Sequence, residues 1–129
     1  MVKLVQCIRR RQDRTIDEFR DFCEGYGRKL RDVAVALNAV QVSLSIRLEV
    51  ELNEQLRRSR DTLEPFDAVA EVSWPHGYKL AEKATHEAIA ASIDGLRQFQ
   101  EEFVDLQHSS FFFTLDSVLF DRRHPPAAS

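Results

Sequence analysis

A chain of 129 residues, 43% hydrophobic and 30% charged, has the length and balance of one domain with its own core. That composition excludes intrinsic disorder, collagen-like repeats and a disulfide-stapled miniprotein, and no apolar run is long enough to cross a bilayer. Eighteen basic against 21 acidic side chains leave a formal charge of -3, without the basic surplus by which a duplex-binding module neutralises phosphates. Two basic clusters, Arg9-Arg10-Arg11 with Arg14 and Arg57-Arg58 with Arg60, read as loop and strand-end charges answered by Asp13, Asp17, Glu18 and Asp61. No nucleic-acid or membrane partner is expected.

The first element, Val2 to Arg9, is short and rich in branched residues, with apolar side chains on both faces, and reads as an inner strand. Thr15-Ile16-Asp17-Glu18 carries the pattern of a capping box, in which the Thr15 hydroxyl and the Glu18 carboxylate each satisfy a free backbone amide. Ile16, Phe19, Phe22, Cys23, Tyr26, Leu30, Val33 and Leu37 then recur at threes and fours, the stripe of an amphipathic helix. Gly25 and Gly27 inside that stripe predict a kink or a close backbone approach. From Val40 to Leu52 apolar and polar residues alternate without a break, which predicts a second strand about 40 Å long at the usual rise per residue. Glu54 to Phe66 reads as a connecting loop with room for one helical turn.

Asp67 to Trp74 alternates again and gives the third strand, broken by Pro75-His76-Gly77. Tyr78 to His108 is helical in pattern, with Ser92, Asp94 and Gly95 dividing it into two helices. Phe111 to Phe120 is the fourth strand. Residues 1 to 121 form a single domain, and Arg122 to Ser129, with two prolines and no periodicity, reads as a loose tail. The order strand, helix, strand, strand, helix, strand is that of an α+β, ferredoxin-like βαββαβ fold: a four-stranded antiparallel sheet with its helices on one face. The other face, if apolar, needs a cover, and a second copy closing sheet against sheet predicts a homodimer.

The opening Lys3-Leu4-Val5-Gln6-Cys7-Ile8-Arg9-Arg10-Arg11, followed by Thr15-Ile16-Asp17-Glu18-Phe19, resembles the start of EthD-domain proteins, members of the dimeric α+β barrel superfamily. Phe103-Val104-Asp105-Leu106 with Ser109-Ser110 and Phe111 resembles that family's approach to its last strand, so the likeness runs over about residues 2 to 121. It departs at Gly25-Tyr26-Gly27-Arg28-Lys29-Leu30, where Tyr26 stands in place of a histidine and Arg28 in place of a frequent proline. The wider superfamily includes cofactor-free monooxygenases, polyketide cyclases and haem-handling proteins. The resemblance implies a small-molecule pocket between sheet and helices, and does not choose a reaction.

Few residues are left to carry chemistry. His76, in a loop, could exchange a proton near neutrality, and Tyr26 or Tyr78 could donate to a developing oxyanion. Arg47, mid-strand on the polar face, could clamp a carboxylate, and Trp74 could wall a cavity. Each has a structural alternative: a turn histidine, a packed tyrosine, an ion pair across the dimer, a core tryptophan. The run Phe111-Phe112-Phe113 puts two rings on one face and one on the other and reads as core, while His86 reads as a surface residue.

Cys7 and Cys23 form no CxxC pair, no histidines stand at metal-ligand spacing, and neither metal nor cofactor is expected. Cys23, on the helix stripe, reads as a buried thiol. The first residues lack the pattern of a secretory signal, which makes the cytoplasm the expected location. Two functions fit: a cofactor-independent enzyme acting on an apolar or aromatic metabolite by proton transfer, with His76 and Tyr26 catalytic and Arg47, Trp74 and Tyr78 around the substrate, or a non-catalytic ligand-binding or accessory dimer. Haem ligation by His76 or His86 is a more distant third.

Overall fold

A computed structural model describes residues 1–123; the part of the proposed tail from 124 onward lies outside the described residues. The chain runs β1 (Val2–Ile8), α1 (Ile16–Ala36), β2 (Gln41–Ile46), α2 (Glu51–Arg60), β3 (Ala68–Trp74), α3 (Lys83–Glu101), a 3-10 turn (Leu106–His108) and β4 (Ser110–Leu115). The strands form one antiparallel sheet in the order β2-β3-β1-β4, the ferredoxin-like arrangement expected. Among the described residues no helix is long and apolar enough to cross a membrane.

Register sorts the side chains by face. Val2, Leu4, Gln6 and Ile8 of β1 share one face with Ala68, Ala70, Val72 and Trp74 of β3, Val42, Leu44 and Ile46 of β2, and Phe111, Phe113 and Leu115 of β4. α1 packs over this face through Phe19, Phe22, Cys23, Tyr26 and Leu30 of the predicted stripe and through Ala34, all buried, whereas Ile16 at its first turn is exposed. α3 joins α1 through an aromatic seam in which Phe22 meets Phe99 at 5.3 Å and Phe103 at 5.1 Å between ring centroids. The opposite face carries Val5, Cys7, Val69 and Phe112 at its centre, with Lys3, Gln41, Ser43, Ser45, Glu71 and Thr114 around them.

The capping box forms as read: Glu18 N donates to Thr15 Oγ1 at 3.1 Å and Thr15 N to Glu18 Oε1 at 3.0 Å. α1 then runs unbroken past both glycines. No close backbone approach accompanies them: an added Cβ at Gly25 would stand 3.4 Å from Cζ of Phe99 on α3, an ordinary van der Waals contact with a side chain.

Four boundaries differ from those expected. β2 stops at Ile46 instead of reaching Leu52, because its partner β3 begins at Ala68 and only Asp67 before it still offers a carbonyl; Arg47 N makes that last bond, 2.9 Å to Asp67 O. The expected loop instead begins with a full helix, α2. Its straight-chain residues favour the helix, Glu54 meets Arg57 and Arg58 one turn on, and Asp61 closes it in the left-handed conformation at φ 50°. α3 is one helix, not two, and starts only at Lys83: Gly95 lies on its outer side, where an added Cβ would meet nothing within 4 Å, so no packing forces a break. β4 ends at Leu115, opposite Val2, since β1 offers no earlier strand residue to pair with.

The basic loop after β1 fastens the far end of α3. Arg11 Nη1 donates to Glu101 O at 3.0 Å, Arg14 Nε to Glu102 O at 3.0 Å, and Arg11 N to Phe103 O at 2.9 Å. These are backbone acceptors at and just beyond the helix C-terminus, where helical partners run out and positive charge is favoured. At its other end α3 begins with Glu82, whose side chain makes no capping bond, and its first turn holds no acidic residue.

Candidate functional site

Beyond the aromatic seam α3 stands away from β4, and the space between them is a cavity on the helix-covered face. It measures about 540 Å³ and is walled by Leu4, Ile93, Leu96, Leu106 and Phe111, with Asp94 and Arg97 beside it on α3. A second cavity of about 260 Å³ is lined by Leu80, His86, Ile89 and Phe113. Ala90 and Ile93 line both, so the two lie side by side along α3 and are together called the trough below. Phe111 and Phe113 stay 37% and 38% exposed, and the expected core reading of these rings is corrected: on an edge strand beyond the reach of α3, they wall the trough.

The floor of the larger cavity is polar at one place. Gln6 of β1 and Gln100 of α3, 2% and 6% exposed, both line it, and the Tyr26 hydroxyl behind them joins the two. Gln100 Nε2 donates to Tyr26 Oη at 2.7 Å, and that hydroxyl donates to Gln6 Oε1. Burial pushes the Tyr26 pKa up to about 12, outweighing these hydrogen bonds, which by themselves lower it. The phenol therefore stays a neutral donor at ordinary pH. Burial, with a smaller contribution from Asp67, likewise pushes the Cys23 thiol up to about 11.

Gln6 Nε2 and Gln100 Oε1 have no hydrogen-bond partner among the described residues. Nor are they sealed in: Arg10 Nε is the only fully buried side-chain nitrogen or oxygen without a partner among those residues. One amide donor and one amide acceptor thus open into an apolar cavity. Neither glutamine stands out as a catalytic type, but a signal was present. Gln6 falls on the same period-two face as Leu4 and Ile8, and Gln100 falls one turn beyond Leu96 on the buried stripe of α3.

The sequence-predicted site residues fall in three separate places. Tyr26 is 0% exposed beneath the two glutamines. Trp74, also 0% exposed, donates from Nε1 to Leu37 O at 2.9 Å; Tyr78 stacks on it at 5.2 Å and donates to the same carbonyl at 3.5 Å, which ties the end of β3 to the end of α1. His76 follows in an exposed turn, where Gly77 takes φ 89°, and it lines neither cavity. Arg47 stands at the opposite end of the sheet, about 23 Å from Trp74 along β3 at the usual rise per residue. There Arg47 meets Glu49 at 3.2 Å and Asp67 at 3.5 Å, and Asp67 also accepts from Arg10 N at 2.8 Å. His86, expected on the surface, is exposed on one side and lines the smaller cavity on the other.

Compared with known protein families and with curated proteins, the chain matches none of them.

Proposed function

We propose that this protein binds a small, largely apolar molecule in the trough between α3 and β4, as an EthD-like homodimer. The observation that carries the reading is the cavity of about 540 Å³ whose apolar walls enclose two buried glutamines with unspent hydrogen-bonding atoms. Ligand sites of this size are typically apolar with a few fixed polar groups, and unsatisfied groups kept inside a fold need a reason. The dimer fits the same picture. The uncovered face, apolar at its centre and polar around it, lies on the side of the sheet away from the trough, so two copies closing over it leave both sites free.

Two measurements test this. Native mass spectrometry is expected to give a dimer, and titration with Nile red a saturable gain in fluorescence. In Ala90→Trp, which places an indole where the two cavities meet, the gain is expected to fall at least about tenfold while the dimer persists. An equal gain in wild type and variant overturns the trough as the site, and a monomer overturns the dimer.

A second reading, proton-transfer catalysis without a cofactor, is favoured by one feature: the His86 imidazole lines the apolar end of the trough. Once a ligand is in hand, this reading expects His86→Asn to bind it and fail to turn it over.

A further inference from the structure

Resting on the trough as the binding site, we infer that its ligand is neutral and presents a hydrogen-bond donor and an acceptor side by side, as a primary amide, a lactam or an imide does, on an apolar body. The argument starts from the hydroxyl of Tyr26. A hydroxyl donates one hydrogen bond, and here it also accepts one, so of two carboxamides joined through it one must offer its oxygen and the other its nitrogen. Gln6 offers oxygen and Gln100 nitrogen. What remains for the cavity is the reverse: N–H from Gln6 and C=O from Gln100.

The complement survives a change of assignment. If both amides turn over, the hydroxyl reverses, and the cavity then receives C=O from Gln6 and N–H from Gln100. In either state one carboxamide keeps its nitrogen wholly unspent and the other its oxygen, so the cavity always faces an acceptor as well as a donor. A carboxylate, which only accepts, would leave a buried glutamine oxygen facing it, and a hydrocarbon would leave both amides unpaired; each costs binding free energy that an amide edge does not. Arg97 also lines the cavity, but its guanidinium is paired with Glu101 at 3.3 Å and Asp94, on the same wall, has the opposite sign, so the wall carries no net positive charge.

The test uses four probes with one benzene ring each: benzamide, benzoate, acetophenone and toluene. Binding is read by the backbone resonances of Leu4, Ile93 and Phe111 and by the side-chain amide resonances of Gln6 and Gln100. Benzamide is expected to shift both glutamine amides and to bind at least about tenfold more tightly than benzoate or toluene, with acetophenone between. Gln100→Met is expected to bring benzamide down to the level of toluene. The wild-type ranking stands as a test even if that variant does not fold.

If toluene and benzamide bind alike in the trough, or benzoate binds best, the ligand class is overturned and the trough remains the site. If no probe moves Leu4, Ile93 or Phe111, the reading of the trough fails and takes this inference with it.

Discussion

The Tyr26 hydroxyl is the residue on which both stability and site depend. Folding favours its protonated form, since its native pKa of about 12 lies above the ordinary 10.0, and the same holds for the Cys23 thiol at about 11 against 9.0. Protons are therefore held more tightly in the folded state, and the stability this contributes is complete below about pH 9 and lost as pH rises through about 11 to 12. Denaturation midpoints in urea should fall across that window. Tyr26→Phe should flatten the upper part of the fall and cost about 1–3 kcal/mol at neutral pH, because two buried amides lose a shared partner. In Tyr78→Phe, where Tyr26 is the remaining tyrosine, phenolate absorbance should rise only near pH 12 or with unfolding. A rise near pH 10 in the folded protein would show that the hydroxyl is not held as described. That Tyr26 lies on the buried stripe was legible from its spacing. Its two partners were not, since they come from β1 and α3, twenty residues before it and 74 after it in the chain.

At the scale of elements, the patterns that were read correctly are those in which local chemistry and packing agree. The capping box of α1 and the alternation of β3 are of this kind. Alternation that continues through Leu48, Val50 and Leu52 predicts a longer β2, yet a strand lasts only as long as it has a neighbour. Those three side chains are 72%, 47% and 61% exposed, and the helix-forming run behind them takes over. The division expected in α3 does not occur, because Gly95 lowers helix propensity without setting a boundary. It follows that Gly95→Ala should stabilise the protein: the new methyl meets nothing, and α3 gains about 0.8–1 kcal/mol of propensity. Thermal unfolding should move up by about 2–6 °C for a chain of this size. No shift, or a fall, would mean that the glycine serves α3 by some means other than leaving space.

For the molecule as a whole, the strand order and the one-sided placement of helices followed from the order of periodic segments. The trough did not, and the reason is physical. Periodicity states which face of α3 is apolar but not how far that helix lies from the edge strand, and the gap between α3 and β4 is what turns Phe111 and Phe113 from core into walls. The same helix is held unequally. Arg11 and Arg14 fasten its C-terminal end beside the glutamine floor, whereas its first turn, beside the smaller cavity, has no side-chain cap. Backbone amides of Thr85 to Ala88 should therefore exchange with deuterium far sooner than those of Leu96 to Gln100, while equal protection along α3 would contradict this. The roof of the trough is thus a lever pinned at one end: its fixed end holds the glutamine floor in place, and what give it has lies at the end beside His86.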